Sequence, residues 1–198
     1  MRTVHALRGA VAALAAFLIV GCAPEQDGWR LTNITGLMPE LTFTLTDHTG
    51  EAATGEDFRG GPVLMYFGYT HCPDVCPTTL ATVRSALGQL NNEASQVTVL
   101  FVTVDPERDT RGALSRYVNA FGPQFVGLRG KPSQLKDLTR RYRVVYNRDK
   151  PDADGDYLVA HSSALFVFDR EGRPRLVARP DDDAEAIASD LSRLLADT

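Results

Sequence analysis

Apolar and polar side chains alternate from residue 41, with Leu41, Phe43 and Leu45 against Thr42, Thr44 and Thr46. A period of two predicts a strand with one buried face. Residues 47–50, Asp-His-Thr-Gly, then turn the chain. After Gly60-Gly61-Pro62 comes an apolar run, residues 63–67, that reads as a buried strand, and residues 97–104 form another strongly apolar run of strand length. Between them Leu80, Val83, Leu87 and Leu90 recur at helical spacing, in a helix-like segment that follows from Pro77. Helices are also predicted over residues 110–121 and 132–142, each announced by a turn residue or proline. Strands follow over 157–160, 164–168 and 175–178, with residues 169–172 as a hairpin turn between the last two. Residues 181–195 make a closing amphipathic helix, whose leading acids suit the positive end of its dipole. Strands alternating with helices, then a hairpin and a helix, predict an α/β sandwich around a mixed sheet.

The first residues read differently. Arg2 and Arg8 precede an apolar run over residues 10–20, too short to span a bilayer but suited to a signal peptide. It ends in Ile19-Val20-Gly21-Cys22, which resembles a bacterial lipoprotein signal. The expected organisation is a signal over 1–21, a tether over 22–38 starting at a lipidated Cys22, and a domain over 39–198. An uncleaved N-terminal anchor is the alternative, and either places the domain outside the cytoplasm beside a membrane. Without residues 1–21 the chain carries nineteen basic against 25 acidic side chains, net −6. With no basic stripe, nothing suggests nucleic acid. Arg140, Arg141, Arg143 and Arg148 read as solvated surface.

Setting Cys22 aside leaves two of the three cysteines, Cys72 and Cys76, four apart after the strand at 63–67. A bridge across so short a loop constrains the unfolded chain little, so the pair reads as chemical rather than structural. Four residues is just over one helical turn, and a helix N-terminus lowers thiol pKa values. Two such sulfurs can form a disulfide or hold a soft metal. The pair also falls at the carboxyl end of a strand, where open α/β sheets place ligands. His161 immediately precedes a late strand that can lie beside the strand of the cysteines. Two sulfurs and an imidazole suit Cu(I) and Cu(II), and this favours copper over zinc, without deciding it.

FGYTHCPDVCPTTL from residue 67, FVTVDPERDT over 101–110 and DYLVAHSSALFVFD over 156–169 together resemble the SCO/SenC family of copper chaperones. The resemblance runs from about residue 38 to 195. It implies a thioredoxin-like sandwich with an N-terminal β-hairpin extension, and Cys72, Cys76 and His161 as copper ligands. It also implies help in assembling the dinuclear copper centre of cytochrome c oxidase subunit II, by copper delivery, cysteine reduction or both. The expected setting is a lipid-anchored protein facing the periplasm, served by a copper donor or thiol reductant. Many family members carry an acid directly before the histidine, where this chain has Ala160, a difference expected to weaken Cu(II) more than Cu(I). Thioredoxin-type oxidoreductases place a cis-proline where this chain has Ser163, which favours metal binding over general thiol exchange.

Asp74 reads as a tuner of the thiols or as a helix cap, and Asp105 as an orienter of the site loops or as a turn residue. His71 is expected to point away from the pair, and His48 to be incidental. Asp152-Ala153-Asp154-Gly155-Asp156 has neither the glycine nor the glutamate spacing of a calcium loop and reads as a turn. The expected role is binding and delivery without substrate turnover. A thiol–disulfide reductase is the main rival, with a peroxidase and a redox sensor behind it.

Overall fold

A computed structural model describes residues 28–197. Ten strands appear in chain order: β1 Thr32–Asn33, β2 Thr44–Asp47, β3 Ala52–Thr54, β4 Val63–Gly68, β5 Thr98–Thr103, β6 Phe125–Arg129, β7 Tyr146–Arg148, β8 Val159–His161, β9 Leu165–Phe168 and β10 Pro174–Ala178. The α-helices are α1 Val75–Gln89, α2 Arg111–Asn119, α3 Pro132–Arg141 and α4 Ala184–Ala196. Eight strands form one mixed sheet in the order β1-β10-β9-β4-β5-β6-β2-β3, while β7 and β8 make a separate ribbon. Of the sheet's neighbouring strand pairs, β4–β5 and β5–β6 are parallel and the rest antiparallel. This is the thioredoxin-like α/β sandwich the resemblance implies, with β2 and β3 as its leading hairpin.

The apolar runs at 63–67 and 97–104 are the two central strands, and every residue of β4 is buried. Because both sheet faces are covered, alternation gives way to a continuous apolar run. On one face Tyr66 and Phe101 pack with Tyr117 of α2, and α1 lies against α4. On the other, Tyr142 at the end of α3 packs on Phe67, Phe166 and Phe168. Capping follows the sequence: the Thr110 hydroxyl accepts from Ala113 N–H and the Asp183 carboxylate from Ala186 N–H.

Several expectations change. Leu41, Phe43 and Leu45 are all buried, but the ladder begins only at Thr44. Upstream, the Leu41 N–H donates to the Gly172 carbonyl and the Thr42 N–H to the Tyr142 hydroxyl, so neither is free for a neighbouring strand. β6 gave no periodic signal because its central residue is Gly127. A Cβ there would sit 2.5 Å from Leu114 Cγ, so α2 packs directly on the bare backbone. The late strand expected at 157–160 is β8, shifted to Val159–His161.

The tether expected over 22–38 is docked for its described part. Leu31 and Ile34 are buried, and β1 pairs with β10. The buried Asp190 of α4 accepts from the backbone N–H groups of Arg30 and Leu31, the latter at 2.8 Å. Leu31 and Ile34 are three apart and flank a short strand, where a period of two would put them on opposite faces, which hid them in the sequence. Cys22 and the segment 1–21 fall outside the described residues. Asp190→Ala should cost about 2 kcal/mol, since it strands the buried Leu31 N–H and frees the part-buried Arg30 N–H. An unchanged denaturant midpoint would contradict this clamp.

Candidate metal centre

β4 ends at Gly68, and the chain turns through residues 69–74 into α1. The helix starts at Val75 rather than after Pro77, so Cys72 precedes it and Cys76 lies in its first turn. A Cβ on Gly68 would stand 2.9 Å from Cys76 Sγ and 2.8 Å from Phe101 Cε2. The last position of the strand must therefore be bare for the sulfur to fit. β9 lies antiparallel beside β4, with Tyr66 opposite Leu165. His161, four residues earlier, is thereby brought over the cysteines.

The ligand atoms of Cys72, Cys76 and His161 all lie within 4.8 Å of one another. His161 Nε2 is 3.3 Å from Cys76 Sγ. His161 Nδ1 is 3.0 Å from the Ser162 carbonyl oxygen. A carbonyl can only accept, so Nδ1 carries the proton and Nε2 turns a lone pair toward the sulfur. Ser162 is itself tied to Val145, whose N–H donates to its hydroxyl at 3.1 Å and whose carbonyl accepts its N–H at 2.9 Å. The orienting contact expected from an acid before the histidine thus comes from a backbone carbonyl after it. Ala160 is exposed, and alternation along β8 turns its side chain away from the imidazole. The rings of Tyr66 and Tyr69 stand edge-on to His161, each 5.9 Å away between centroids.

The two sulfurs differ. Cys72 is partly exposed, and the Cys76 N–H points at its Sγ from 3.4 Å, so the helix N-terminus serves this sulfur. Cys76 is fully buried. Burial pushes its thiol up to about 12, outweighing the Tyr69 backbone hydrogen bond that favours thiolate. The expectation that the helix would lower thiol pKa values fails for Cys76, because it sits beneath the helix end in the core. Tyr66, also pushed up by burial, keeps its proton and donates to Cys76 Sγ at 3.9 Å. A metal that takes the Cys76 thiolate must displace a proton held to about pH 12. Apparent metal affinity should therefore rise with pH, by about tenfold per unit for each proton released. Competition titrations at pH 6, 7 and 8 check this, and a flat profile would contradict it.

The site opens into a cleft of about 350 Å³ whose lining includes Cys72, Val75, Leu158, His161 and Ser163. Val75 and Leu158 are 42% and 53% exposed, giving the mouth an apolar rim.

Other expected residues fall around this centre. Asp74 holds the N-cap position of α1, but its carboxylate caps no backbone N–H and instead accepts from the Thr78 hydroxyl at 3.4 Å. The bonds of the buried Asp105 carboxylate go to Arg108 Nε and, at 2.8 Å, to the Tyr157 hydroxyl. His71 leans away from the sulfurs, with Nδ1 3.2 Å from Thr70 Oγ1. His48 accepts from the Gly127 N–H at 3.2 Å and so fastens the leading hairpin to β6. The 152–156 segment is a turn, with Asp152 accepting from the Asp154 and Asp156 N–H groups. Arg148 is more than solvated surface: it pairs with Glu107 at 2.6 Å and lies 3.7 Å over the Tyr157 ring.

Asp109 was missed. It is fully buried, accepts from the Thr70 N–H and hydroxyl and from the Thr103 hydroxyl, and so pins the loop leading to Cys72. Its signal lay in the segment Asp105-Pro106-Glu107-Arg108-Asp109-Thr110, where nothing in the spacing separates a buried acid from the exposed ones beside it.

A family model described as SCO1/SenC matches residues 38–196. The human mitochondrial protein SCO2 homolog is 46% identical over 132 residues, 66% of this chain and 50% of that protein. A SCO2-like protein of Rickettsia prowazekii is 39% identical, over 66% of this chain and 64% of its own length. The chain spans about half the length of the mammalian relatives it matches. Among solved structures, Bradyrhizobium japonicum ScoI with copper bound superposes with a TM-score of 0.72 at 38% identity, covering 79% of this chain and 99% of that one. Yeast Sco1 with copper bound gives 0.73 at 29% identity, covering 81% of this chain and 91% of that one. With the family match running from the leading hairpin to the final helix, the chain belongs to the SCO1/SenC family.

Proposed function

We propose that this protein captures copper with Cys72, Cys76 and His161 and passes it to a partner during assembly of cytochrome c oxidase. The observation that carries the reading is the convergence of two sulfurs and one imidazole within 4.8 Å beside an open cleft. Family members solved with copper bound include one 38% identical to this chain. Soft thiolates suit Cu(I), and the imidazole extends the site to Cu(II). Three ligands beside an open cleft leave room for an incoming donor, so a thiolate or imidazole of a partner can enter and replace one protein ligand at a time. The partly exposed Cys72 lines the mouth and is the natural first to be exchanged. Each thiolate donated to copper releases its proton to solvent, and each released sulfur takes one back.

In this reading the acceptor is the subunit II copper centre, and a periplasmic donor or reductant serves the protein. Cys22 carries the lipid that holds it to the membrane. Among the described residues no helix is long and apolar enough to cross a membrane. The direct test is transfer from the copper-loaded protein to the reduced copper domain of subunit II, followed by the acceptor's own absorption. Metal retained by the donor at equilibrium would overturn delivery.

The exposed–buried asymmetry of the sulfurs favours a second reading, thiol–disulfide reduction. There Cys72 attacks a partner disulfide and Cys76 resolves the mixed disulfide. The pair loses two electrons and two protons, and the partner gains two thiols. His161 separates the readings, because reduction should survive His161→Ala whereas Cu(II) binding should not.

A further inference from the structure

Tyr157 lies four residues before His161, with its ring between two guanidinium groups. Arg108 lies 3.5 Å from the ring centroid on one contact and Arg148 3.7 Å on the other. Both arginines are themselves held. Arg108 is bonded to Asp105, and Arg148 to Glu107 at 2.6 Å. The Tyr157 hydroxyl donates to Asp105 at 2.8 Å, so ring and hydroxyl are gripped by one turn, residues 105–108. A cation over each contact of a largely buried phenol is a strong local restraint, and each pair adds to the attraction of burial alone.

The same turn reaches the metal centre. Arg108 lies 5.7 Å over the Tyr69 ring, and Tyr69 stands edge-on to His161. The Tyr69 hydroxyl also accepts the Val159 N–H at 3.2 Å. Residues 157, 159 and 161 are spaced by two, as in an extended strand, so their side chains fall on one side. Tyr157 and Val159 are buried, whereas Leu158 and Ala160 are exposed. The segment is therefore fastened at Tyr157 and Val159 before it delivers the imidazole 3.3 Å from Cys76 Sγ.

We infer that Tyr157 is a positioning residue: held by Arg108, Arg148 and Asp105, it sets the place of His161 and so the strength of Cu(II) binding relative to Cu(I). This rests on the copper reading above. Two thiolates can hold Cu(I) without the imidazole, whereas Cu(II) draws on the nitrogen. Loosening the segment should cost one oxidation state far more than the other.

The test compares wild type with Tyr157→Ala, Tyr157→Phe and Asp105→Asn, first without metal. Two-bond nitrogen–proton NMR of His161 should report the Nδ1-protonated tautomer in wild type. The alanine variant should show averaging of the two tautomers and faster exchange of the Val159 amide. Copper titrations follow. Tyr157→Ala should lower Cu(II) affinity by about 10- to 100-fold, the range seen when partners behind metal ligands are removed. Cu(I) affinity should change by less than about threefold, since both sulfurs stay in place. Tyr157→Phe keeps the stacked ring and should fall between wild type and alanine.

Unchanged Cu(II) affinity and an unchanged His161 tautomer in Tyr157→Ala would overturn the inference. So would equal losses of Cu(I) and Cu(II) that track a lower denaturant midpoint, since a general loss of structure predicts that pattern. If Tyr157→Ala does not fold, Tyr157→Phe and Asp105→Asn carry the same comparison. If wild type binds neither copper ion, the copper reading fails, and the tautomer and amide-exchange measurements still decide whether Tyr157 positions His161.

Discussion

Cys76→Ser should cost the protein its copper, with Cu(I) affinity falling by more than about 100-fold. That exceeds the usual loss for a partner that merely supports a ligand. Cys76 Sγ is the hub of the centre, 3.3 Å from His161 Nε2 and in contact with the Tyr66 hydroxyl. An oxygen there is a hard donor with a far higher pKa than a thiol, and in a site this buried it stays protonated. Serine is close to cysteine in size, so the fold should hold and the loss should be specific. A competition titration of Cu(I) measures it, with thermal unfolding as the control. Retention of affinity within about threefold of wild type would mean that the sulfur is not a ligand. Cys72→Ser should give the same loss of tight binding, but its partly exposed position makes it the easier sulfur to replace with an external thiol.

His161→Ala is the second large effect, and it should divide the oxidation states. Cu(II) binding should be lost, while Cu(I) should weaken by about tenfold, because two soft thiolates remain. The imidazole sits at the edge of the core between two aromatic rings, and its Nδ1–H is committed to the Ser162 carbonyl. Only Nε2 is left for metal, so a substitution removes one ligand atom and nothing else of the donor set. Glutathione-coupled reduction of a partner disulfide, measured on the same variant, decides the rival reading. A reductase role predicts full activity there.

The sequence made the two central strands, the helix order and the meeting of Cys72, Cys76 and His161 legible. The strands and helices rest on local pattern, strongly apolar runs for β4 and β5 among them; the meeting of the three side chains rests on the spacing of the sulfurs, a histidine leading into β9 and the family resemblance. What it hid depends on long-range packing. β6 is built on Gly127, whose lack of a side chain accommodates Leu114 and leaves no alternation to detect. Burial, which no local pattern reports, reversed the expected effect of the helix end on Cys76. Asp109 and Asp190 look in sequence like their exposed neighbours. They differ because backbone N–H groups distant in the chain come to bond with them. With Ala160 before it, His161 has no acid beside it in the sequence to orient it. The carbonyl of Ser162 is invisible as a chemical signal, since every residue has one, yet it supplies the support. Family resemblance named Cys72, Cys76 and His161 together and the fold makes them neighbours, but only the fold shows that one sulfur is buried and the other partly open.

The central claim is that Cys72, Cys76 and His161 form one copper site. Adding Cu(II) to the reduced protein and recording its absorption spectrum tests it most directly. The account predicts a thiolate-to-copper charge-transfer band that saturates at one equivalent and disappears in Cys72→Ser, Cys76→Ser and His161→Ala. No such band in the reduced wild type, or a band that persists unchanged in the His161→Ala protein, would contradict it.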